Sequence, residues 1–315
     1  MHLPGFPEDY EPQQQKGDGL PCHEQHHLRA HEGPVFAVRY NRQGTYCLSC
    51  GKDRNICLWN PARGTLIKTY PGHGYEVRDV CVSADNSKFA SCGGDKQVFL
   101  WDVGTGRFVR KLRGHDSTVN SIKWAAQDDV LVTGGYDQSV KLWDCKSRST
   151  EAMQVMKAFK DSVTCVVVRD HEIVASSVDG SIRRFDIRMG RVYTDDVHHA
   201  VTSVAVSHDG LCLLAACLDS TLRLLDKTSG ELLASYRGHV HQAVKMDCCL
   251  MPSDAQVVGS SETGEVMFWD LVDATVVRRL QAHNGVVCSM AVHPSGTQML
   301  TSSLDGVIAT WTVAT

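Results

Sequence analysis

The sequence predicts an all-β chain closed into a ring of seven four-stranded sheets, and three observations carry the prediction. A closing dipeptide recurs as Trp59-Asn60, Trp101-Asp102, Trp143-Asp144, Phe185-Asp186, Leu225-Asp226, Trp269-Asp270 and Trp311-Thr312, at spacings of 42, 42, 42, 40, 44 and 42 residues. Residues 22–315 make up seven lengths of 42. Inside each unit, short β-rich runs such as Val35 to Val38, Cys47 to Cys50 and Ile56 to Trp59 alternate with turn-rich Asn41 to Gly44 and Gly51 to Arg54, and no helical period competes. Units of about 40–45 residues that cannot bury their own faces stack on their neighbours, and radial stacking gives a seven-bladed β-propeller.

Taken in order, Met1 to Pro21 holds four prolines, a Gln13-Gln14-Gln15 run and Gly17-Asp18-Gly19. With little apolar material to bury, this segment is expected to be a flexible tail, and 22–315 the propeller. Leu211 to Leu218 is an apolar run that suits a strand buried on both faces. After Trp311 only four residues remain, so the seventh blade lacks an outer strand. Glu24 to His31 aligns with Phe108 to His115 and with Val276 to His283. The N-terminal segment is therefore expected to supply the missing strand and protect its edge.

Four polar residue types keep register in blades one, two, three and seven: His31, Ser49, Asp53 and Trp59; His73, Ser91, Asp95 and Trp101; His115, Thr133, Asp137 and Trp143; His283, Thr301, Asp305 and Trp311. In each set His precedes Trp by 28 residues, the hydroxyl by 10 and Asp by 6. Together with the Gly-His and Trp-Asp marks, this pattern resembles the WD40 repeat family. The resemblance implies that each set is a structural tetrad, bonded within its blade. Catalytic triads are a poor account, because copies of one active site would not ring a scaffold. Blades four to six carry Ala175 and Phe185, Ala215 and Leu225, and Gly259 and Thr263 in the equivalent places. There the network is expected to be replaced by apolar packing, since a half-made polar network is worse than none.

Composition narrows function. The chain has 315 residues, 43% hydrophobic and 22% charged, with a net charge of -4. It lacks the basic excess of a general nucleic-acid or membrane-surface binder. No run approaches the roughly 18 apolar residues that cross a bilayer, and the first 20 residues show no signal segment, so an intracellular protein without membrane insertion is expected. Thirteen cysteines, an odd number lying mostly in apolar runs, suit buried free thiols in a reducing compartment. The Cys47-Cys50 pair has no companion at zinc spacing. His23-Glu24-Gln25-His26-His27 spells a zinc-protease motif, but that chemistry needs a helix, and here the segment reads as a strand. No phosphate loop, nucleophile elbow or kinase signature occurs. Neither an enzyme nor a cofactor or metal site is expected.

Further stretches are more specific: Gly64 to Tyr70 with Gly72 to Val77, His171 to Val174 with Ser177 to Gly180, Arg183 to Gly190, Leu218 to Lys227, and Asp247 to Leu250. They resemble the WD-repeat scaffolds of the extracellular-signal-regulated (MAP) kinase cascade that are also counted among spliceosome-associated proteins. The resemblance implies a propeller, monomeric within larger assemblies. It further implies that MAP kinase cascade components, adaptors and splicing factors bind it, and that it occupies cytoplasm and nucleus. In the family's geometry one face is lined by the loops after Gly-His and before the Trp strand, where Lys52, Arg54, Tyr75, Glu76, Lys96, Tyr136, Leu218 and Glu262 fall. Arg183, Arg184, Arg188 and Arg191 form the densest basic cluster in the sequence, a candidate RNA or protein contact. Phe185-Asp186-Ile187-Arg188 also resembles the box by which substrate receptors dock on the adaptor of cullin-4 ubiquitin ligases.

Overall fold

The computed structural model describes residues 19–125 and 128–314. Among them the strands form seven antiparallel four-stranded sheets. Blade 1 consists of β2 (Val35–Tyr40), β3 (Cys47–Gly51), β4 (Asn55–Asn60) and β5 (Thr65–Pro71), hydrogen-bonded in chain order. Blade 2 repeats this in β6 to β9 (Val77–Val82, Lys88–Gly93, Gln97–Asp102, Phe108–Arg113), and blade 3 in β10 to β13 (Val119–Trp124, Val130–Gly135, Val140–Asp144, Gln154–Met156). Blade 4 is β14 to β17 (Val163–Arg169, Glu172–Ser177, Ser181–Asp186, Arg191–Asp196), and blade 5 is β18 to β21 (Val201–Val206, Cys212–Cys217, Thr221–Asp226, Leu232–Arg237). Blade 6 follows as β22 to β25 (Cys248–Leu250, Gln256–Ser260, Glu265–Asp270, Val276–Gln281), and blade 7 as β26 to β28 (Val287–Val292, Gln298–Ser303, Ile308–Thr312).

The ring closes through β1 (His23–Leu28), which pairs antiparallel with β28, setting His23 opposite Thr312 and Leu28 opposite Ile308. His23 and His27 thus lie on an outer strand. The packed body begins earlier than Cys22, because Leu20 is buried against Met251, Phe268 and Trp311 between blades 6 and 7. Residues 1–18 of the expected tail lie outside the described residues.

The first strand of each blade lines the central channel and touches those of the adjacent blades. The core lies in the wedges between blades. One wedge packs Tyr70, Phe89, Phe99 and Trp101 beneath Ala37 and Val77; the wedge between blades 4 and 5 is aliphatic, with Val174, Val204, Leu213 and Leu225. Alternating strand faces make this possible, since each middle strand presents one face to each neighbouring blade. The apolar run in blade 5 is buried from Leu213 to Cys217, whereas Leu211 is exposed in the preceding turn.

Candidate functional site

In blades 1, 2 and 3 all four tetrad residues are hydrogen-bonded. His31 joins Ser49 at 2.7 Å and Asp53 at 3.0 Å, and the Trp59 indole N–H donates to Ser49 at 2.9 Å. His73, Ser91, Asp95 and Trp101 repeat the arrangement, as do His115, Thr133, Asp137 and Trp143. In blade 7, His283 bonds Thr301 at 2.7 Å, but Asp305 stands 3.4 Å away. The chain of donors runs from indole N–H to hydroxyl, from hydroxyl to a neutral imidazole, and from imidazole N–H to carboxylate, so every buried polar atom has a partner. Burial lowers the His115 and His283 rings in keeping with this relay. Blade 1 departs from the neutral relay: burial pulls His31 down, but Asp53 and then Cys57 override it and raise the ring to about 9, so this imidazole is protonated at neutral pH and both its nitrogens donate.

The departing blades do not simply lose the network. In blade 4 the Asp179 carboxylate remains, accepting from Ser181 and from the Lys160 N–H, with Arg183 at 3.6 Å. Phe159 lies 6.3 Å from Phe185, and the Arg183 guanidinium sits over its ring at 4.6 Å. In blade 5 Asp219 is held by Arg223. An arginine four residues after the aspartate has thus become the carboxylate's partner, which corrects the expectation of purely apolar replacement. Blade 6 follows that expectation least well: His239 is buried with neither ring nitrogen bonded, and Trp269 donates instead to the Arg237 carbonyl at 3.0 Å.

The eight face residues fall in the loops entering the blades and in the turns between second and third strands, which meet: the N–H groups of Lys52, Tyr136, Leu218 and Glu262 donate to the carbonyls of Pro34, Thr118, Ala200 and Val240 at 2.8 to 3.0 Å. Their roles differ. Tyr75 and Tyr136 are each 63% exposed, and Tyr136 borders a cavity of about 350 Å³ at the mouth of the central channel, with Phe36, Arg78 and Lys245. Lys52, Arg54 and Lys96 are exposed. Glu76 is half-buried and paired with Arg78 at 3.0 Å, and Leu218 is half-buried. Glu262 has a structural role: its Oε1 accepts the N–H groups of Gln242, Ala243 and Val244 at 2.7 to 3.1 Å, so it shapes the loop before β22.

The arginine cluster is also corrected. Successive residues of a strand point to opposite faces, so Arg183 stacks on Phe159 while Arg184 is buried against Asp195 at 3.2 Å and Glu172 at 3.8 Å. Arg188 and Arg191 are exposed at the opposite end of β16. Phe185 is buried, and the Asp186 carboxylate is occupied by the Arg188 and Met189 N–H groups. No continuous basic patch forms from these four residues.

Sequence reasoning missed two features. The residue after the turn aspartate, or after Thr263 in blade 6, has positive φ in every blade: Arg54, Lys96, Gln138, Gly180, Ser220, Gly264 and Gly306, at 58° to 86°. A buried charge network also crosses the channel, with Arg39 bonded to Asp247 at 2.7 Å and Asp79 at 3.1 Å, and Lys123 3.3 Å from Asp79. Burial raises Asp79, but Arg39 and Lys123 together hold it well below the usual carboxylate range. A signal was available in the offsets from the closing Trp: the cations Arg39 and Lys123 precede it by 20 residues and the carboxylates Asp79 and Asp247 by 22.

The family model for the WD domain, G-beta repeat, matches residues 22–60, 64–102, 106–144, 190–226 and 274–312. The unmatched intervals contain the closings of blades 4 and 6. The chain is 60% identical over 280 residues to WD repeat domain-containing protein 83 of Rattus norvegicus, covering 89% of each chain. It is 56% identical over 280 residues to the Homo sapiens protein of the same name, again covering 89% of each. To a Dictyostelium discoideum homolog it is 30% identical over 312 residues, covering 90% of this chain and 96% of the other. The seven blades, their tetrads and these matches place the chain in the WD domain, G-beta repeat family.

Proposed function

We propose that the chain is a non-enzymatic scaffold that docks several proteins on the face bearing Tyr75, Tyr136, Lys52, Arg54 and Lys96. The observation that carries this reading is at the turns between the second and third strands of the blades. Glycine fills the left-handed position in three blades, at Gly180, Gly264 and Gly306, yet side chains hold it in the other four, at Arg54, Lys96, Gln138 and Ser220, with φ of 58° to 67°. A non-glycine residue there costs roughly 1–2 kcal/mol, and such strain is concentrated at functional sites. Two exposed tyrosines beside these cations are the residue types that anchor protein interfaces.

The stretches Gly64 to Val77, Arg183 to Gly190 and Leu218 to Lys227 support a finer reading. In it the partners are MAP kinase cascade components and their adaptors, together with pre-mRNA splicing complexes, met in cytoplasm and nucleus. Docking them on one rigid ring raises their effective concentration without chemistry. The test is affinity purification with mass spectrometry on wild type and a Tyr75→Ala, Tyr136→Ala, Lys96→Gly variant. Loss of a defined subset of partners is expected. An unchanged partner list overturns the assignment of this face, and a list without kinases or splicing factors overturns the finer reading. An RNA-contacting role has less support, since Arg183 and Arg184 are engaged inside the blade.

A further inference from the structure

The outer strand of blade 3 is shorter than its counterparts. β13 has three residues, against seven in β5 and six in β9, β17, β21 and β25. Pairing between β4 and β5 extends through Trp59 and Asn60, and that between β16 and β17 through Asp186. Pairing between β12 and β13 stops at Leu142 opposite Gln154. The chain leaving β12 is drawn toward blade 2, where the Arg113 N–H donates to the Thr150 carbonyl at 2.9 Å. A groove of about 280 Å³ opens on the ring's flank between blades 3 and 4.

Leu142, Ile173 and Phe185 contribute apolar surface to the groove, with Met156, Ile187 and Val192. Of these, Ile187 and Val192 remain 50% and 53% exposed. An anchor seated in the groove would take the Ile187 and Val192 side chains out of water. The charge around it is net positive. Lys157 and Arg191 line the groove together with one carboxylate, Asp186, and exposed Arg188 lies in the adjoining turn. The Asp186 carboxylate is ionised and turned onto the N–H groups of Arg188 and Met189, both at 2.9 Å.

We infer that this groove is a second docking site, distinct from the tyrosine-bearing face, and that it takes a partner segment with an aliphatic or aromatic anchor flanked by Asp or Glu. The anchor fills the space left by the short strand, and the flanking carboxylates meet Lys157 and Arg191. Met156 in the lining lets the surface adapt to different anchors.

The probe is a phage-displayed library of random dodecamers selected on the full chain and counter-selected on a Val192→Asp variant. Val192 is half-exposed, so an unchanged thermal melt is required of that variant before use. Expected are peptides with one apolar anchor between acidic residues, whose affinity falls about tenfold or more in Val192→Asp. Arg191→Glu should weaken the same peptides and favour versions with lysine flanks. Val192-dependent peptides with basic or neutral flanks, or none at all, overturn the inference. Peptides that depend on Tyr75 and Tyr136 instead overturn the groove while leaving the scaffold reading intact.

Discussion

His239 is the one tetrad-type histidine whose ring has no polar partner in its blade, and burial lowers it to about 4. The unfolded chain binds a proton at this residue near pH 6.5. Stability is therefore complete above that value and is lost as pH falls from 6.5 toward 4, by about 2 kcal/mol between pH 7 and pH 5. Urea denaturation of wild type and His239→Phe at the two pH values checks it: the variant should lose less stability on acidification, and equal losses refute the assignment. The complete tetrads give the opposite lesson. Thr133→Val removes the acceptor of the Trp143 indole and the partner of His115, leaving both unsatisfied. It should cost about 1–3 kcal/mol by denaturant titration, whereas Ala215→Val in blade 5 breaks no such network. These sets were legible because four residue types recur at fixed offsets. Glu262 and Arg184 were not, because their partners come from other loops and strands at no fixed spacing.

At the scale of elements, the alternation of strands and turns in the sequence located the blades and the outer role of His23 to Leu28. It did not show that β13 and β22 would be three residues long, because their length is set by where the preceding chain is tethered. In blade 6 the tether is Glu262, which gathers three backbone N–H groups ahead of β22. The closing strand offers the sharpest test. A chain beginning at residue 29 lacks the strand that covers β28 and the buried Leu28 side chain. Relative to 19–315 it should lose at least about 2 kcal/mol from Leu28 alone, and the bared strand edge should promote association. Light scattering and thermal melting measure both effects; a monomeric 29–315 with an unshifted melt would show that β1 contributes nothing to closure.

At the scale of the whole ring, closure by β1 joins only the first and last segments, and the channel network joins blades that are distant in sequence. Arg39 in blade 1 spans Asp79 in blade 2 and Asp247 at the start of blade 6, while Ser289 of blade 7 donates to Asp247 at 2.7 Å and Lys123 of blade 3 stands by Asp79. Removing one member of a buried ionic set leaves the others uncompensated, which costs more than the set contributes. Arg39→Met should therefore destabilise the ring by about 3–5 kcal/mol at pH 7. Adding Asp247→Asn should recover part of that loss, because a neutral amide needs no cation. The penalty should also shrink as pH falls from 7 toward 4, since the carboxyls released from Arg39 regain higher pKa values and take up protons in the folded state. Urea titrations of the single and double variants at pH 7 and pH 4.5 decide it. A double variant no more stable than Arg39→Met, with a penalty independent of pH, would mean that Arg39 acts only by filling the channel.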